Sequence, residues 1–317
     1  VLSHGSCAFA GAYSFLGEQL AASGLVVIAP NKPGGTLLNP LIDPMLAPGC
    51  SNAVNITPEF AYVSKWAVFD QVEEHALAVD RLFHTEEGDP AWLPHIGLRE
   101  QFSGVGHSAG GGQLLYLAGA PYNETCDPTD YPVGPQRTAA AKACADIKAQ
   151  KGSPPYTLRE SRLVSMAGLE PGAPGLGPGP VEASAKSEIP TFFAVATGSS
   201  LNTSVPKLFT AIQSNAPPSW PGAILTLRGG THDTYDDTCF ISRQSGFQLP
   251  GVDTSFCHKD VPNGELQGIV SAFCASFLRT YGGAHKGPPV VLQAPPCHAV
   301  VDLRGEAFSG FDDTFQP

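Results

Sequence analysis

The sequence contains no run of about 18 apolar residues, the length a membrane-spanning helix needs, so none is expected. It has no Cys-x-x-Cys pair, and its cysteines, at 7, 50, 126, 144, 239, 257, 274 and 297, are spaced poorly for a zinc site. Basic residues are scarce: 18 Lys and Arg stand against 29 Asp and Glu, for a net charge of −11. That balance argues against a nucleic-acid partner, because binding a phosphate backbone is driven largely by Lys and Arg. An acidic surface also does little to attract anionic lipid headgroups. Charged residues make up only 15% of the chain and hydrophobic ones 42%, which leaves ample material for a core and argues against wholesale disorder. No internal repeat and no clear linker is visible, so one domain over 1–317 is expected.

What the chain has in quantity is glycine and proline, 35 and 30 residues, which predict many loops. It opens on Val1-Leu2-Ser3-His4-Gly5, which reads as the end of a strand; earlier strands and any targeting segment are expected to precede it. Residues 13–23 have helical spacing, Gly24 fits a C-cap, and LVVIAP at 25–30 is a continuous apolar run of the kind a doubly covered parallel strand needs. Residues 31–58 predict a long loop. Residues 66–84 return to helical periodicity through Val68, Val72, Leu77 and Leu82. A short strand at 102–106 leads into a helix from Gly110 to Ala118. Residues 120–160 read as a loop-rich insertion around a short Ala-rich helix, tied by Cys126 and Cys144. Strands follow at 163–169, 190–197 and 223–228, then a helix at 266–281 and an extension over 284–317. Alternating strands and helices imply a mostly parallel sheet covered on both faces.

The even number of cysteines permits four disulfides. Asn55-Ile56-Thr57, Asn123-Glu124-Thr125 and Asn202-Thr203-Ser204 match the glycosylation acceptor pattern. Together these features tilt the reading towards an oxidising, secretory-type compartment.

One segment carries chemistry. Gly106-His107-Ser108-Ala109-Gly110 fits G-x-S-x-G, a sharp strand-to-helix turn that exposes a nucleophilic serine. The glycines are there because a Cβ two residues to either side of the serine would crowd the turn. FSGV before it is strand-like and GGQLLYLAG after it is helix-like, as the turn requires. Ser108 is therefore the candidate nucleophile. Its base should follow a late strand, and Thr231-His232-Asp233 comes directly after AILTLRGG. His4 and His107 belong to the turn motifs, and no remaining histidine follows a core strand and precedes a helix, so His232 is the candidate base. Two N–H donors are needed for the developing oxyanion; Ala109 and Ser6, the latter in the Ser3-His4-Gly5-Ser6 turn, are the candidates.

The acid that should orient the histidine is harder to find. The loop after PTFFAVATG, Ser199-Ser200-Leu201-Asn202, contains no carboxylate. The preceding strand LVSMAGL ends at Glu170, an alternative position for the acid, and glutamate serves as the third member in some hydrolases. Asp233, Asp236 and Asp237 are too near His232 in sequence to orient it easily and are expected to form an acidic rim.

With these residues in place, the chain resembles the chlorophyllases and, more remotely, the platelet-activating-factor acetylhydrolases, both of the α/β-hydrolase superfamily. The likeness runs through LSHG and GLVVIAP, GHSAGG, GLEPGAPG and GGTHDTYDD, and on through GIVSAFCASFLRTY to the tail PPVVLQAPPCHAVV. It departs from the chlorophyllase pattern at Ala109, where an arginine is usual, and at Glu170, where an aspartate is usual. The resemblance implies an α/β-hydrolase fold with a Ser108–His232–Glu170 triad. It also implies cleavage of the phytyl ester of chlorophyll, with no cofactor beyond the magnesium of the substrate. A small lipophilic ester is then the partner, with transient association at membrane or pigment-protein surfaces. Other lipophilic esters, or a non-catalytic binding role, are the alternatives. The family implies a chloroplast setting, whereas the cysteines and acceptor triplets point to secretion.

Overall fold

The computed structural model describes residues 1–5, 8–31, 72–82, 101–123, 126–130, 134–172, 187–237, 263–282 and 300–304. Its strands are β1 (Leu2–Ser3), β2 (Phe102–His107), β3 (Leu163–Leu169), β4 (Thr191–Ala196), β5 (Gly222–Leu227) and β6 (Val300–Arg304). They form one six-stranded sheet in the order β1-β2-β3-β4-β5-β6. Neighbours from β1 to β5 run parallel. β6, from the C-terminal extension, joins the edge of β5 antiparallel.

The helices are α1 (Ser14–Ala22), α2 (72–82), α3 (Ala109–Leu117), α4 (Pro135–Lys151), α5 (Ser204–Asn215) and α6 (Asn263–Tyr281). The central strands are apolar on both sides because helices cover both faces. β4 shows this most plainly: every residue of TFFAVA is buried, and the pleat sends its two phenylalanine rings opposite ways. Phe192 packs with Leu16 and Leu20 of α1 and with Phe273 and Phe277 of α6. Phe193 packs on the other face, with Leu114 of α3 and with Phe209 and Ile212 of α5.

The sequence expectations need correction in four places. Residues 25–30 form no ladder buried on both faces. Leu25, Val27 and Ala29 pack on the core, while Val26 is 52% exposed. In α2 the buried positions are Val72, His75 and Val79, and Leu77 is 64% exposed. The helix of the 120–160 segment is not short; α4 runs 17 residues. Its tie is present, a Cys126–Cys144 disulfide. Cys274, buried in α6, is a free thiol, so four disulfides do not form.

The chain order sets where a site belongs. From β1 the chain passes through α1 to residues 25–30, where Ile28 O accepts from Leu2 N at 2.7 Å. On the opposite side of β1, Val1 O accepts from Val105 N of β2 at 2.8 Å. The direction of progress thus reverses between β1 and β2. In open parallel sheets the crevice beyond the strand carboxyl ends at such a reversal is the usual place for a ligand. His4-Gly5 and Ser108 lie there.

Candidate active site

Ser108 is the single residue between the end of β2 and the start of α3, and it turns the chain with φ 53° and ψ −124°. Among described non-glycine residues, only Ser108 and Glu170 (φ 46°) have positive φ. Such conformations cost about 1–3 kcal/mol each and persist only where the surroundings impose them. Here glycines allow the close approach. A Cβ on Gly106 would sit 2.5 Å from the carbonyl of Gly110, and one on Gly110 would sit 2.2 Å from Ser3 O. The turn is then pinned to β3: Ser108 N donates to Leu169 O at 3.0 Å, and Gly172 N donates to Ser108 O at 2.8 Å.

Glu170 follows β3 directly and is fully buried. Its backbone N donates to Ala194 O at 2.8 Å, which holds the residue against β4. Its Oε1 accepts from Ala196 N at 2.7 Å. Its Oε2 accepts from Ser199 Oγ at 2.5 Å and from His232 Nδ1 at 2.8 Å. A carboxylate only accepts, so Nδ1 of His232 carries the proton and Nε2 of the neutral ring keeps its lone pair.

His232 begins a 3₁₀ turn, His232–Tyr235, beyond β5. The turn is set by Thr231 N donating to Thr234 Oγ1 at 2.8 Å. The imidazole is 27% exposed while its Glu170 partner is wholly covered. Burial alone would lower the histidine pKa. The hydrogen bond and charge of Glu170, with Asp233 and Asp236 adding, outweigh it and raise the pKa above the usual value.

Among the described residues no hydrogen bond joins the Ser108 hydroxyl to His232. His107 connects them, lying next to Ser108 in sequence with its ring 4.6 Å from that of His232. Nucleophile–base bonds in unliganded enzymes are often loose and tighten with substrate. Of the two expected oxyanion donors, Ala109 N is the first amide of α3 and has no acceptor within the helix. Ser6 lies outside the described residues. The N–H of Gly5 beside it donates to Tyr13 Oη at 3.1 Å.

The acidic-rim expectation is overturned for two of its three residues, since Asp236 and Asp237 are 8% and 5% exposed. Asp237 accepts from Ser14 Oγ at 2.6 Å, at the start of α1, where a carboxylate complements the helix dipole. Burial nonetheless pushes its pKa up. Sequence reasoning also missed Ser199 and the Ala196 amide. The loop that lacks a carboxylate supplies the Ser199 hydroxyl to Glu170, and the end of β4 supplies the Ala196 amide. Among the described residues, no helix is long and apolar enough to cross a membrane. No cluster of His, Cys, Asp and Glu among them is arranged to hold a metal.

No family model matches the chain, and no curated protein matches its sequence. Among solved structures, a ferulic acid esterase from Streptomyces cinnamoneus superimposes with a TM-score of 0.55 at 14% identity, over 94% of this chain and 70% of that one. At that identity the likeness speaks to the fold alone. Taken with the mostly parallel sheet, its helices on both faces and the turn at Ser108, the chain has the α/β-hydrolase fold.

Proposed function

We propose that the chain is a serine ester hydrolase. Ser108 attacks the ester carbonyl as His232 Nε2 takes its proton, and Glu170 holds the ring and balances the imidazolium. The oxyanion is received by the N–H groups of Ala109 and Ser6. Collapse of the tetrahedral species breaks the ester C–O bond, and the alcohol leaves with the proton from His232. Water, deprotonated by His232, then releases the acid and regenerates Ser108. The observation that carries this reading is the buried Glu170 carboxylate 2.8 Å from His232 Nδ1. The loop after β4 has no carboxylate, and on this reading Glu170 takes the place of the acid. On this reading 1–317 is one hydrolase domain, with 120–160 and 284–317 added to it.

The substrate proposed is the phytyl ester of chlorophyll, cleaved to chlorophyllide and phytol. Its support is that GHSAGG, GLEPGAPG and GGTHDTYDD, three of the chlorophyllase-like stretches, each contain one of Ser108, Glu170 and His232. A second reading, a carboxylesterase or lipase acting on other lipophilic esters, is favoured by the esterase among the solved structures. The test is incubation with chlorophyll, a hydroxycinnamate ester and a short aryl ester, with products identified by mass. The wild type is expected to release chlorophyllide and Ser108→Ala to release none. Turnover of the other esters without chlorophyll would select the second reading. Equal activity in both proteins would overturn both.

A further inference from the structure

We infer that Tyr13 and His107 are positioning residues whose hydrogen bonds tie the His4-Gly5 turn to the main chain of His232. The inference rests on the serine-hydrolase reading. His107 Nε2 lies 2.9 Å from His232 O, and Nδ1 lies 2.8 Å from Tyr13 Oη. Tyr13 Oη in turn accepts from Gly5 N at 3.1 Å.

The direction of this chain is fixed at both ends. A backbone carbonyl only accepts, so Nε2 of His107 carries a hydrogen; a backbone amide only donates, so the tyrosine oxygen accepts from Gly5. The one arrangement that satisfies every group runs from Gly5 N–H to Tyr13 oxygen and from Tyr13 O–H to His107 Nδ1. His107 Nε2–H then completes it to the carbonyl of His232. That arrangement requires a neutral His107. Burial and the neighbouring His232 hold its pKa well below the usual histidine value.

The chain crosses the site. Gly5 packs against the nucleophile, since a Cβ there would lie 3.2 Å from Ser108 Cβ. Tyr13 and His107 are 1% and 3% exposed, so water does not compete for these bonds. The turn expected to hold an oxyanion donor and the loop holding the base are thereby set relative to each other, in a reaction sensitive to misplacement by about 1 Å. Tyr13 acts through Gly5, and His107 acts through the main chain and ring of His232.

Tyr13→Phe removes one hydroxyl and keeps the ring, so it is the primary variant. Its kcat on an aryl ester is expected to fall roughly 10- to 100-fold with KM within about twofold, since placement and not ground-state binding is lost. His107→Leu should fall similarly, and adding Tyr13→Phe to it should cost little more, because both break one chain. His107→Gln, which keeps a donor and an acceptor, should recover part of the loss. Unchanged kcat in Tyr13→Phe, or fully additive losses in the double variant, would overturn the inference. Fluorophosphonate labelling separates the two layers: no reaction at Ser108 in the wild type would overturn the hydrolase reading. Equal labelling rates in wild type and Tyr13→Phe would overturn only the brace.

Discussion

The two ends of the parallel sheet use polar residues in opposite ways. At the amino ends, just before β3, Arg162 donates to Glu160 from Nε at 3.0 Å and from Nη2 at 2.9 Å, and it also reaches Asp80 of α2. The Glu160 carboxyl is held below its usual range by those bonds. Arg159 donates to Leu117 O at 3.1 Å and Leu163 O at 3.3 Å, joining the end of α3 to the start of β3. These polar groups satisfy one another with no described non-glycine residue in the left-handed region. At the carboxyl ends Ser108 and Glu170 are forced into it, and the polar atoms converge on His232. One end contributes stability, and the other gives some up to fix a geometry.

This contrast is broken most severely at Glu170. Glu170→Gln offers an amide where Nδ1–H needs an acceptor, and kcat is expected to fall by about 10³- to 10⁴-fold, as for other triad acids. The pH profile should move with it. His232 must be neutral to act as base, so its raised pKa places the acid limb above the usual histidine value of about 6.5. Without the Glu170 charge, burial lowers that pKa and the limb shifts to lower pH. A limb that stays in place, measured by initial rates, would remove Glu170 from the triad.

A smaller loss is expected for Ser199→Ala, which takes away one of three donors to the carboxylate. About a tenfold fall in kcat is expected, with stability lowered by about 1 kcal/mol. The reverse pattern is expected at the other end. Arg162→Met should cost about 1–2 kcal/mol in denaturant unfolding, because its partners are partly solvated. Its kcat should be unchanged. A loss of kcat there would mean that the two ends are coupled.

Much of this was legible in the sequence, and the exceptions have physical causes. The turn at Ser108 announces itself because only glycine tolerates the approach of Gly106 to Gly110 and of Gly110 to β1. The late strand before His232 is equally plain from its apolar run. LVVIAP misled because an apolar run does not say how many faces are covered; at the sheet edge Val26 is left in solvent. α2 misled because His75, a polar residue, fills the middle of its buried stripe, where hydrophobic periodicity does not look. Asp237 read as surface charge because the α1 start it serves lies 223 residues away. Ser199 and Tyr13 act through single hydroxyls, which leave no pattern in a sequence.

The most direct measurement is peptide mapping by mass spectrometry after fluorophosphonate treatment, with the labelling rate followed against pH. A single adduct on Ser108 is expected, forming faster as His232 loses its proton and much more slowly in Glu170→Gln. An adduct on another serine, or none on the folded protein, would contradict the triad.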